Sequence, residues 1–215
     1  MRIRALVAGL VIVGAGIALT GRALSDEKGG KPAVSEEEMI KMAQEWMALA
    51  KPGEHHKHLN QFVGKWNTIT KMWWGGPGEP ATETHGTAEI KWVLNGRFIM
   101  QESKGEMIMP SATGEMTKSP YNSMGFIGYD NYRNVFVGSW MDDVGTAMYT
   151  YKGTADPSGK VFNYYGEMDE PGLKMTGRMV NYRTTIINND KHLFEVFDLA
   201  VGTDFKAFEI TYTRQ

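Results

Sequence analysis

From Phe62 onward, apolar and polar positions fall into runs of roughly 7 to 13 residues rich in β-branched and aromatic types, the pattern of short strands. Turn signals separate the runs: GGPGEP, NG, DNYRN, DDVG, DPSG, DEPG, NNDK and GTD. Such punctuation predicts an antiparallel meander of about nine or ten strands. The last run, Phe205 to Thr213, places Lys206, Phe208, Ile210 and Tyr212 on one side and Phe205, Ala207, Glu209 and Thr211 on the other. Aromatic residues occur on both sides, so alternation alone does not choose the inner face. Asn95-Gly96 is the strongest hairpin signal, because both residues tolerate the positive φ of a type I′ turn. It is expected to join Trp92-Val93-Leu94 to Arg97-Phe98-Ile99. Residues 110–121 (PSATGEMTKSPY) read as a long loop. An open meander leaves two edges that invite aggregation, and closure into a barrel removes them. The expected fold is therefore mainly β, a closed barrel whose interior can be wider than its own side chains fill.

Upstream the period changes. Ser35-Glu36-Glu37-Glu38 has the form of a capping box ahead of an amphipathic stretch to Ala50, with Met39, Ile40, Ala43, Trp46 and Met47 at helical spacing. Pro52-Gly53 ends that helix, and a further helical turn or two is expected over Glu54 to Gln61. Residues 26–34 (DEKGGKPAV) have no periodicity and read as a linker. At the start of the chain, Arg2 and Arg4 precede an apolar run from Ala5 to Leu19, followed by Ala23-Leu24-Ser25, the order of a secretory signal. That run spans 15 residues, against the ~20 a membrane-crossing helix needs. The domain reading is thus a signal over 1–25, a linker over 26–34, an N-terminal helical segment over 35–53 and a barrel over 54–215. The product is expected to be exported, periplasmic or secreted after cleavage near Ser25, the alternative being an uncleaved membrane anchor.

Composition narrows the partners. A formal charge of -2 and a pI near 6.2 give no basic footprint for nucleic acid or anionic lipid. With no cysteine, neither a disulfide nor a lipidated thiol is available. Aromatics at 11% and 25 glycines suit a sheet protein with many tight turns.

Gly64-Lys65-Trp66 at the start of the first strand resembles the G-x-W signature of calycin, or lipocalin-like, barrels. That resemblance implies that Trp66 closes one barrel end and that Arg214 packs across it through a cation–π contact, with Gly64, Trp66 and Arg214 as barrel-closing residues. The segments HHKHLNQFVGKW (55–66), VLNGRFIMQE (93–102), GFIGYDNYRNVFVGSWMD (125–142) and FEITYTR (208–214) are together similar to the bacterial family known as domain of unknown function 1579. The similarity runs from Glu54 to Arg214 and implies a fold; it carries no substrate or catalytic residue with it.

Candidate chemistry is sparse. His55, His56 and His58 would suit a transition metal or haem, yet their spacing puts only His55 and His58 on one helical face, so further ligands would have to come from His85, His192 or a carboxylate. The plainer reading is a helical turn capping the barrel. Arg97, with Glu102 and Arg183, is a candidate for an anionic ligand group at a cavity mouth. Trp92, Met100, Trp140, Tyr149 and Tyr151 are candidates for lining an apolar cavity, although core packing explains them equally. Gly125 to Asn131 lacks nucleotide-loop spacing and reads as tight packing followed by a turn. No nucleophile elbow, P-loop or H-E-x-x-H pattern occurs. The reading is a non-enzymatic barrel that binds a small, mainly apolar molecule and needs no cofactor. Two alternatives stay open: a haem or metal protein using His55–His58, and a cavity-free barrel that acts through protein contacts.

Overall fold

The computed structural model describes residues 35–215, so the expectations for the signal and the linker fall outside the described residues. The chain divides into two units, residues 1–50 and 51–215. In the first, helix α1 spans Glu36–Leu49. Its start is the expected capping box: Ser35 Oγ accepts from the Glu38 amide at 3.2 Å, and the Glu38 carboxylate accepts from the Ser35 amide at 2.8 Å. No helix among the described residues is long and apolar enough to cross a membrane.

The second unit starts with a short helix α2 (Glu54–His58), which runs into a 3-10 turn (Leu59–Phe62). Ten antiparallel strands follow: β1 (Gly64–Met72), β2 (Thr82–Val93), β3 (Phe98–Pro110), β4 (Met116–Asp130), β5 (Val135–Asp142), β6 (Tyr149–Ala155), β7 (Val161–Glu170), β8 (Met175–Asn188), β9 (Lys191–Asp198) and β10 (Lys206–Arg214). Each pairs with its sequence neighbour, and β1 pairs with β10 to close a barrel. The fold is the mainly β, calycin-like barrel that the turn punctuation and the G-x-W segment lead one to expect.

Two local expectations give way. Residues 110–121 are mostly strand: β3 and β4 stay paired from Phe98↔Gly128 out to Pro110↔Met116, leaving only Ser111–Glu115 as a turn. The Pro, Ser and Gly content suggested a loop, but the ladder tolerates it because this part of the hairpin runs beyond its neighbours. β2 leaves β3 at Gly105 and β5 leaves β4 at Ser123, so the ribbon has free edges where proline is allowed. The Asn95-Gly96 turn is longer than two residues. Val93 pairs with Phe98, and Leu94, Asn95 and Gly96 all have positive φ (50°, 54° and 77°).

Strand alternation sorts the side chains. On β10, Phe208, Ile210 and Tyr212 face inward, whereas a bulge between Lys206 and Phe208 turns Lys206 outward to Glu195 and Glu209. The half of the barrel nearest the start of β1 is solid. Leu59 and Phe62 plug it from the 3-10 turn and meet Trp66, Ile90, Ile99, Phe136 and Phe162 in one buried cluster.

Candidate ligand site

At the plugged end, the Trp66 indole donates to the Phe62 carbonyl at 2.8 Å, and the Arg214 guanidinium carbon stands 4.2 Å from the Trp66 ring centroid. Arg214 also donates to the carbonyls of Val63 and Asn189, both at 2.9 Å. Gly64, at φ 141°, has no room for a Cβ, which would collide with that guanidinium. His192 lies beneath, stacked on Tyr212 (4.3 Å between centroids) and edge-on to Trp66 (4.5 Å). Burial, reinforced by the Arg214 charge, pushes its imidazole down to about 3.

The histidines of α2 are also at this end. His55 stacks on Tyr129 at 4.3 Å, the His56 ring accepts from the Gly53 amide at 3.1 Å, and the His58 ring covers Gly159. The His55 and His58 rings are 5.9 Å apart, and among the described residues no group of three or more His, Cys, Asp or Glu is placed to hold a metal ion. Arg97 is in the β2–β3 turn at the same end, donating to the Leu94 carbonyl at 3.3 Å. Trp92 donates to Asn60 Oδ1 at 2.8 Å, tying β2 to the plug. Met100 faces outward in step with Glu102, which pairs with Lys91 on the barrel exterior. Arg183 faces out as well, over the Phe197 ring.

Trp140, Tyr149 and Tyr151 have a different placement. All three face into the other half of the barrel, where inward side chains keep partial exposure. Their position follows from a repeated device. Gly105 pairs with Tyr121, Gly125 with Trp140, Gly138 with Tyr151 and Gly153 with Tyr164, so successive strand pairs set an aromatic ring opposite an inward glycine. A Cβ at Gly125 or Gly138 would run into the Trp140 or Tyr151 ring, which shows how closely each ring lies on the opposite strand. The rings therefore lie flat along the opposite strand.

The floor of this open cup is phenolic. Tyr151 meets Tyr164 at 5.3 Å and Tyr182 at 5.1 Å, and Gln101 reaches across from β3 to donate to the Tyr212 hydroxyl at 3.0 Å. Tyr164 and Tyr182 are 1% and 5% exposed, yet neither hydroxyl has a hydrogen-bond partner in the protein. Burial raises the phenols of Tyr151, Tyr164 and Tyr182 above their ordinary value, and raises Tyr212 to about 12, so all remain neutral hydroxyls. Nearer the mouth, Tyr121 donates to Asp142 Oδ2 and accepts from the Trp140 indole, both at 3.3 Å, while Arg178 and Asp198 form an ion pair. Each connection around the mouth exposes a large apolar side chain in the loop or at the adjoining strand end: Trp74, Met116, Met148, Leu173 and Val201. Outside the cup, a groove of about 560 Å³ between Trp73–Gly78 and Val201–Lys206 flanks the rim.

The lining residues Tyr121, Tyr182 and Gln101 were not among the sequence candidates for the site. The spacing of glycine and aromatic two apart within a strand (Gly138-x-Trp140, Tyr151-x-Gly153, Tyr164-x-Gly166) puts ring and glycine on one face and marks Trp140, Tyr151 and Tyr164, but it points to none of these three.

A protein family described as a protein of unknown function, DUF1579, matches residues 51–214, the whole barrel with its plug. The chain belongs to this family. No curated protein matches the DUF1579 chain in sequence. Among solved structures it is similar to an S-type phycobiliprotein lyase from Guillardia theta, with 13% identity over 76% of this chain and 98% of that one and a TM-score of 0.44. It is also similar to the protein EF1p2_mFAP2b bound to DFHBI, with 8% identity over 75% of this chain and 100% of that one and a TM-score of 0.37.

Proposed function

We propose that this DUF1579 barrel is a non-enzymatic binder of a small amphipathic molecule, held in the open half with its apolar body against Trp140, Tyr149 and the mouth and a hydrogen-bonding group on the tyrosine floor. The observation that carries the reading is the pair of buried, unpartnered hydroxyls on Tyr164 and Tyr182. A buried hydroxyl without a partner costs about 1–3 kcal/mol, and here two lie on directly paired residues beneath the open half, where a guest that shifts either ring would supply the missing bonds. The sequence expectation of a mainly apolar guest is thereby sharpened: the walls suit an apolar body, while the floor asks for donors or acceptors. Native mass spectrometry of protein purified from its own source tests this. A co-purifying organic mass that is released on denaturation, and whose retention falls in Tyr182→Phe, is the expected result; a protein that is free of guests and unchanged by a panel of amphiphiles overturns it.

We further propose that the barrel works outside the cytoplasm. The support is Arg2 and Arg4 ahead of the apolar run to Leu19. Amino-terminal sequencing of the protein from fractionated cells is expected to begin near Asp26 in the exported fraction, and a cytoplasmic product beginning at residue 1 would sink the idea.

A further inference from the structure

The carboxylates on one side of the mouth have no cationic partner. Asp142 ends β5 facing inward, opposite Ser123, with Oδ2 held by the Tyr121 hydroxyl and Oδ1 accepting from the Val144 amide at 3.2 Å. Glu170 ends β7 just past a register shift, half-buried, and accepts from the Gly172 amide at 3.1 Å; the exposed Asp169 accepts from the Gly177 amide at 2.9 Å. Among the described residues none of the three forms an ion pair. The cations of this end are engaged elsewhere or turned to solvent. Arg178 is neutralised by Asp198, Lys206 lies outside between Glu195 and Glu209, Lys118 pairs with Glu106, and Lys174 is exposed in the β7–β8 turn.

These carboxylates surround an aromatic corner. Trp140 and Tyr149 are directly opposed on β5 and β6. Alongside burial, the charges of Asp142, Asp169 and Glu170 raise the Tyr149 phenol, so all three act on the same ring. Tyr182, 5% exposed, has its partnerless hydroxyl buried beside this corner, close enough for the Tyr149 phenol to act on it. Carboxylates, two aromatic rings and a hydroxyl free to accept form a set that favours a positive charge. Ring faces attract a cation, most strongly where water is partly excluded, and each unpaired carboxylate adds to the field.

We infer that the cup selects organic cations, molecules with an apolar body and an ammonium group, with the charge held between Trp140 and Tyr149 and the Asp142 and Glu170 carboxylates, while Asp169 adds to the field from outside. This rests on the reading of the open half as a binding cup and names the chemical class of its guest. An anionic amphiphile would face the same unpaired carboxylates and be repelled.

Titration calorimetry of the purified protein near neutral pH with three probes of equal chain length tests the inference: decyltrimethylammonium, decanoate and the neutral decyldimethylamine oxide. The ammonium probe is expected to bind at least about tenfold tighter than decanoate. Asp142→Asn and Glu170→Gln should each shrink that preference severalfold, while Glu79→Gln, a rim carboxylate on the β1–β2 loop, leaves it unchanged. Equal binding of all three probes, or a preference for decanoate, overturns the charge selection and leaves the binding cup standing. Failure of every probe to bind overturns the cup along with it. A preference reduced as much by Glu79→Gln as by Glu170→Gln would reduce the effect to net charge and also overturn the site.

Discussion

Arg214 and Trp66 are cross-strand partners on β10 and β1, and the guanidinium of one covers the indole of the other while donating to backbone carbonyls of the plug. The contact therefore closes the seam between the strands and fastens the 3-10 turn at once. Arg214→Ala is expected to cost about 2–4 kcal/mol, from the lost cation–π contact and the carbonyls left without a donor. Arg214→Lys should recover only part of this, because an ammonium cannot span Val63 and Asn189 together. Denaturant unfolding of both variants measures the difference; equal stability of Ala and Lys variants would contradict the assigned geometry.

His192 makes the barrel acid-sensitive. Its folded value, about 3, is below the ordinary 6.5, so between these pH values the unfolded chain binds a proton that the folded chain refuses. The associated stability is complete above 6.5 and is lost as pH falls toward 3. By pH 5 the loss is about 2 kcal/mol. His192→Phe keeps the stack on Tyr212, removes the buried Nδ1 that lacks a partner, and should flatten the stability profile in this window. An unchanged pH slope in that variant would place the sensitivity elsewhere.

Gly138→Ala would press a methyl group into the Tyr151 ring. The expected cost is about 1–3 kcal/mol, the usual penalty of overpacking. In a Gly138→Ala/Tyr151→Ala double variant the two costs should fall short of additive, because removing the ring removes the collision. Thermal unfolding of the four proteins in the cycle decides; strict additivity would mean that the two residues do not meet.

Tyr182→Phe separates stability from binding. The hydroxyl has no partner in the protein, so its removal should leave the guest-free barrel unchanged or raise its stability by up to about 1 kcal/mol. Guest affinity should fall by the worth of one hydrogen bond, about 0.5–1.5 kcal/mol. Calorimetry and thermal unfolding on the same preparation read both signs, and a clear loss of stability without guest would show that the hydroxyl is bonded within the fold.

The fold was legible because its signals are local. Turn residues recur between β-branched runs, Gly-x-Trp begins β1, and Ser35 with Glu38 starts α1. The site was legible only in part. Trp140, Tyr149 and Tyr151 are placed by parity on strands whose ends the turns reveal. Arg97 and Met100 misled for reasons that sequence does not display. The first is in a turn whose run of positive φ lengthens it beyond Asn95-Gly96, and the second is one residue out of step with Gln101, which faces in. On β10, the bulge after Lys206 breaks the alternation that the sequence suggests. The importance of Tyr164 and Tyr182 depends on missing partners, which only three dimensions reveal.

The pairing of β1 with β10 also fixes an order of assembly. Each hairpin from β2 to β9 joins neighbours in the chain, but the last seam joins Trp66 to Arg214 across nearly the whole domain. Contacts of such long sequence separation form late and slowly. Until β10 arrives, β1 presents an unpaired edge and the plug has no arginine to hold it, so the nascent barrel is an open, adhesive sheet. A chain that must stay unfolded while it moves would gain from this, because nothing in its first three-quarters can complete the barrel.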